Sequence, residues 1–196
     1  MSVHFCVETD RAGCVATEDY HHGDDVHIFY GLRTNGDHLL HNGFVPREDN
    51  PNDRFKLKLG LTKTEKHFDT RMAVLRAIGL NPTETFELAP TATPIPVELI
   101  RFAKVFVADD LVDVDSLEVV AKAWQFIRDR LNLLLKGHEA AKVAKLDASA
   151  ASANQKNVLT LLEGEKKILN NAYQFAAAKV QEMLNNSNAA ITTDLK

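Results

Sequence analysis

Residues 28–44 read IFYGLRTNGDHLLHNGF. An apolar run stops at Tyr30-Gly31, an arginine and a polar turn follow, and a short amphipathic stretch closes on Asn42-Gly43-Phe44. Folding alone asks for neither a tyrosine nor an arginine there. Upstream, the β-branched and aromatic content predicts short strands at Val3–Glu8 and Gly13–Thr17. His21–Asp25 (HHGDD) then supplies a Gly-centred turn into a third strand, Val26–Tyr30, in a meander-like pattern. After the Tyr-Gly break, Thr34–Asn42 is predicted helical, with Leu39 and Leu40 inward and Gly43 as the stop.

Downstream, Asn50-Pro51-Asn52-Asp53 reads as a loop, and Phe55–Leu61 (FKLKLGL) alternates apolar and basic residues like an edge strand. From Thr62 the period moves from two toward 3.6. Phe68, Met72, Leu75 and Ile78 mark one helix face, closed by Gly79 and Pro82, and a second helix follows Pro96. The third has Asp115 and Glu118 at capping-box spacing, with Leu117, Val120, Trp124, Ile127, Leu131 and Leu134 along one stripe. A fourth is predicted over Asn157–Leu184. These last two helices, joined by an Ala- and Ser-rich connector, are expected to pack antiparallel. The polar end, 185–196 (NNSNAAITTDLK), is expected to fray as a disordered tail.

Composition narrows the chemistry. Lys and Arg number 23 against 27 Asp and Glu, a formal charge of -4, so nothing draws the chain toward nucleic acid or anionic lipid. Two cysteines, Cys6 and Cys14, without CxxC spacing suggest neither a disulfide framework nor a zinc site. They fit a reducing cytoplasmic or nuclear setting. No apolar run approaches the ~18 residues of a membrane span. His21, His22, His27, His38 and His41 have no metal-ligand spacing, so no metal is expected. Trp124 and Phe126 read as core or groove packing. From the residues alone, Tyr30 is a strand-end aromatic closing a core, and Asn42-Gly43-Phe44 is a helix stop.

The order Phe-Tyr-Gly, Arg, Asn, His-x-Gly-Phe and Lys-Leu-Gly resembles the C-terminal half of a SET domain in the Rubisco large-subunit methyltransferase branch. VATEDYHHGDDVHIFYG (15–31) matches its closing strands, and TNGDHLLHNGFV (34–45) is similar to the helix that follows. Residues 50–80, PVELIRFAKVF and WQFIRDRLNLLLK resemble the branch's all-helical substrate-binding domain. Within the branch the chain is similar to the actin-histidine methyltransferases, which share Phe-Tyr-Gly and a Leu-Gly-x-x-Lys segment, here Leu59 to Lys63.

The resemblance implies an α+β fold: a partial β-rich SET domain over 1–61, a helical substrate-binding domain over 62–184, and the tail. It implies S-adenosylmethionine as cofactor and, as reaction, transfer of its methyl group to the tele nitrogen of an actin histidine. It places Tyr30 at the methyl-transfer channel as the catalytic residue and Asn42, Gly43 and Phe44 at the cofactor. Arg33 lies at the substrate, where it meets backbone or an acidic side chain, or else makes an ordinary surface ion pair. The branch's Asn-His cofactor motif would precede Val3. The chain is thus expected to be a C-terminal fragment, truncated isoform or partial gene model that is inactive alone. A lysine-directed enzyme of the same branch and a non-catalytic substrate-binding module are the alternatives.

Overall fold

A computed structural model describes residues 2–16, 18–140 and 151–194. The chain divides into two compact units, Met1–Arg33 and Thr34–Lys196. In the first, β1 (Ser2–Cys6) and β2 (Arg11–Val15) form an antiparallel ribbon with Val3 opposite Cys14 and Cys6 opposite Arg11. Both expected strands are present, each displaced toward the N-terminus. Thr17, assigned to the second of them, lies outside the described residues. The HHGDD turn also forms: the Asp24 amide donates to the His21 carbonyl (3.1 Å), and Asp24 Oδ2 accepts from the His21 amide (2.6 Å).

The third strand does not form. Val26–Tyr30 has no ladder partner among the described residues, and Phe29 is 74% exposed. Its apolar, β-branched composition is a preference for a half-buried pleated surface. Without a neighbouring edge to supply hydrogen bonds, that preference is not realised.

In the second unit, α1 (Asn35–Asn42) starts at Thr34, whose hydroxyl accepts from the Asp37 amide (3.1 Å). The Asp37 carboxylate closes the capping box on the Thr34 amide (3.4 Å). Leu39 is half-buried, but Leu40 is 76% exposed, contrary to the inward placement expected for it. Buried Asn35 sets the phase of this short helix. Leu39 lies one turn on along the same face, while Leu40 is rotated about 100° from Leu39.

Next, β3 (Phe55–Gly60) pairs antiparallel with β4 (Thr83–Leu88), setting Leu57 opposite Phe86, and α2 (Phe68–Ala77) lies between them in sequence. Leu57, Leu59, Phe86 and Leu88 point into the core, while Lys56 and Lys58 face solvent. The expected edge strand therefore has a partner, Thr83–Leu88, that the sequence reading leaves unassigned. In α2, Leu75 is fully buried but Ile78, the helix's C-terminal cap, is 40% exposed. The chain leaves α2 through a Schellman closure, with the Leu80 amide donating to Leu75 (2.9 Å) and the Gly79 amide to Arg76 (3.1 Å).

Three helices complete the unit: α3 (Val97–Val107), α4 (Leu117–Ala140) and α5 (Ala153–Asp194). The Ser116 hydroxyl, not the Asp115 carboxylate, accepts from the first turn of α4, through the Val119 amide (3.4 Å). Asp115 instead binds Lys104 at 2.6 Å, because its side chain lies within reach of the α3 ammonium. Leu117 is consequently 81% exposed, and Val119 takes the first buried position. Two pairings, Trp124 with Phe175 and His138 with Glu165, show that α4 and α5 run antiparallel, as their paired stripes require. The Ala- and Ser-rich connector falls largely in 141–150, outside the described residues. Helix α5 continues past Leu184, where a fraying tail is expected, because propagation adds a hydrogen bond for each residue fixed. No helix among the described residues is long and apolar enough to cross a membrane.

Candidate functional site

The singled-out residues fall in both units. In the first, Tyr30 is 42% exposed and is followed by Gly31 at φ +89°, so the chain turns directly behind the phenol. Arg33 is half-buried and ends the unit. In the second, Asn42, Gly43 and Phe44 close α1. Gly43 sits at φ +76°, its amide donates to Leu39 (3.2 Å), and no heavy atom lies within 4 Å of where a Cβ would be. An L-residue there would be strained, and the backbone edge is open to a closely approaching group. The Phe44 ring stacks on His38 (5.3 Å between centroids) and is 37% exposed.

What holds this edge was not legible as function. Asp53, read simply as loop, is 5% exposed and accepts from both the amide and the side-chain Nδ2 of Asn35, each at 2.9 Å. Asn50 Nδ2 donates to Asn35 Oδ1 (3.0 Å), and the Arg54 amide donates to Asp53 Oδ1 (3.0 Å). The only sequence signal was Asn-Pro-Asn-Asp itself, whose side chains favour bonds to nearby backbone. At the other end of α1, Asn157 of α5 donates to the Gly43 carbonyl (3.0 Å).

Two clefts flank this assembly. One, of about 420 Å³, lies between the 46–53 loop and α5, lined by Arg47, Asp49, Asn50, Glu163 and Lys167. The other, of about 670 Å³, includes Val45, Arg47, Lys156, Asn157 and Glu163. Both mix charges of either sign, which suits a polar peptide or cofactor edge better than an apolar ligand.

Electrostatics follow from local partners. The Thr34 hydroxyl, with help from Lys56 at 3.6 Å, holds Asp37 below the usual carboxylate range. Burial, then the Asp53 charge, pushes Glu165 upward. His138 Nε2 lies 3.6 Å from Glu165 Oε2, yet its pKa is lowered. Burial, reinforced by Lys166, outweighs that carboxylate. No cluster of three or more His, Cys, Asp or Glu able to hold a metal occurs among the described residues.

The chain is similar to known proteins. The Rubisco LSMT substrate-binding family model matches residues 62–169. Actin-histidine N-methyltransferase of Danio rerio is 32% identical over 88% of this chain and 33% of its own length. Those of Mus musculus and Homo sapiens are 32% and 31% identical over 87% of the chain and 33% of theirs. The chain thus spans about a third of the length of these curated relatives. Among solved structures, Rubisco LSMT bound to sinefungin and monomethyllysine superposes with TM-score 0.69 at 19% identity, covering 86% of this chain and 48% of that one. The SET domain of LSMT bound to MeLysine and AdoHcy superposes with TM-score 0.68 at 18% identity, covering 82% of this chain and 42% of that one. The α+β fold is therefore that of the LSMT structures, and with more than half of its residues inside the family model the chain belongs to the Rubisco LSMT substrate-binding family.

Proposed function

We propose that the protein carrying this sequence is an S-adenosylmethionine-dependent protein N-methyltransferase that modifies the tele nitrogen of a histidine in actin. The supporting observation is identity of 31–32% to actin-histidine N-methyltransferases over 87–88% of the chain, a similarity reaching well outside residues 62–169. The open backbone at Gly43 and the aromatic ring of Phe44 fit a cofactor edge. When bound, S-adenosylmethionine supplies a methyl group already activated on a sulfonium.

The work left to this chain's residues is alignment. Imidazole, with a reference pKa near 6.5, is mostly neutral at pH 7 and presents a lone pair without prior proton removal. A lysine, near 10.4, must first lose a proton. Tyr30 is assigned the role of orienting the acceptor ring through its hydroxyl. Arg33 is assigned to the substrate backbone or an acidic side chain, and Asn42, Gly43 and Phe44 to the cofactor. As the imidazole nitrogen gains its methyl group, the other ring nitrogen gives up its proton to solvent. The substrate-binding portion is assigned to residues from Thr62 onward and the SET portion to those before it. Two free thiols suit a reducing compartment, the cytoplasm or nucleus.

A lysine acceptor is the second reading, favoured by the lysine and methyllysine ligands of the solved LSMT relatives. A non-catalytic substrate-binding module is the third, favoured by the identity of the matching family model. The native protein carrying these residues, incubated with actin and labelled methyl donor, should yield a methylhistidine peptide by mass spectrometry. Methyllysine alone would establish the second reading. Actin binding without any methyl transfer would establish the third.

A further inference from the structure

We propose that Asp53 and Asn157 are positioning residues that hold α1 at its two ends, Asp53 from the 46–54 loop packed on Gly164 of α5 and Asn157 from α5 itself, and so set the Gly43–Phe44 edge. The proposal rests on reading that edge as the cofactor's. Three observations carry it.

First, Asp53 does more than cap α1. Thr34 and Asp37 close a capping box on the Asp37 and Thr34 amides. Buried Asp53, with no cation paired to it among the described residues, takes the Asn35 amide that the box leaves open and the Asn35 side chain as well. Burying a carboxylate is costly unless its bonds are made, and these bonds tie α1 to the 46–54 loop instead of merely ending the helix.

Second, α5 is shaped to admit this pair. A Cβ on Gly164 would lie 3.3 Å from Asp53 Oδ2 and 3.4 Å from Asn35 Nδ2, so a glycine lets the polar pair sit directly on the helix.

Third, the far end is held at a matching distance. Asn157 binds the Gly43 carbonyl seven residues before Gly164, about 10.5 Å along α5, while the eight residues of α1 span about 12 Å. A helix this short does not hold its own position in water, so these two attachments decide where its last turn lies.

The test uses Asn157→Ala, which removes only the bond to the Gly43 carbonyl, together with Asp53→Asn and Gly164→Ala, in the native protein carrying these residues. The KM for S-adenosylmethionine should rise roughly five- to tenfold, the weight of one lost hydrogen bond, with kcat changed less than about twofold. In this chain, amide hydrogen exchange over 36–44 should accelerate in Asn157→Ala while exchange over 124–135 stays unchanged. The melting temperature of Asn157→Ala should fall by less than about 2 °C. Unchanged KM and exchange in Asn157→Ala would overturn the proposal even if Asp53→Asn lowers stability. A wild-type protein that neither binds S-adenosylmethionine nor methylates anything brings down the functional reading instead.

Discussion

At the scale of single residues, the phenol of Tyr30 and the cap at Thr34 make separable predictions. Because Tyr30 is 42% exposed, Tyr30→Phe removes a hydroxyl without opening a core. Methyl transfer by the native protein should fall on the order of 100-fold with an unchanged melting curve. Full turnover in that variant would reduce Tyr30 to packing. Thr34→Ala should cost about 1 kcal/mol in denaturant unfolding, the usual weight of a lost N-cap. The same contact has a pH signature. Asp37 titrates below its ordinary 3.8, so its contribution is present above that value and is lost as pH falls through the lower folded value. Acid titration of Thr34→Ala should show a shallower loss of stability below about pH 4. The helix over Thr34–Asn42 was visible in the sequence. The Asn35–Asp53 bond was not, since it joins residues 18 apart through a loop whose path only the fold supplies.

Among elements, short strands separate what composition can say from what it cannot. Val26–Tyr30 has strand composition and no ladder partner among the described residues, whereas Thr83–Leu88 has two glutamates and two threonines and is a strand. Its alternation places Phe86 and Leu88 against the core and Thr83, Thr85 and Glu87 outward, a period-two signal masked by the helices on either side. Phe86 meets the Phe102 ring edge-on at 5.5 Å and is 3% exposed. Phe86→Ala should therefore destabilise the second unit by about 3–5 kcal/mol in urea unfolding, far more than Phe29→Ala, whose ring is largely in solvent. The long helices were legible because their stripes recur over many turns. The start of α4 was misplaced by one residue because two adjacent side chains, Asp115 and Ser116, could each cap it, and Lys104 takes the first.

For the molecule as a whole, the α4–α5 interface sets a pH dependence in the opposite part of the scale. His138 titrates below its ordinary 6.5 because its half-buried ring, tilted against Phe55 and near Lys166, resists charging even with Glu165 beside it. The unfolded chain therefore takes up that proton first. Stability should fall as pH drops below about 6.5, and the loss is complete once pH is below the folded value. Glu165, raised by burial, recovers some stability at lower pH as it protonates. Thermal melts at pH 7.0 and 5.5 should show a smaller difference in His138→Gln than in the native chain. An equal difference would assign the slope to other groups.

Period and motif order by themselves determined the α+β class, the long antiparallel helix pair and the family resemblance, and that resemblance alone pointed to the stretch around Tyr30 and Asn42–Phe44. These signals are local, carried by residues within a few turns or a single strand of one another. Only the tertiary structure decided that Val26–Tyr30 has no ladder partner among the described residues, that Thr83–Leu88 pairs with Phe55–Gly60, and that Asp53 and Asn157 bond the two ends of α1. Each depends on a hydrogen-bond partner far away in the chain, which no window of sequence contains.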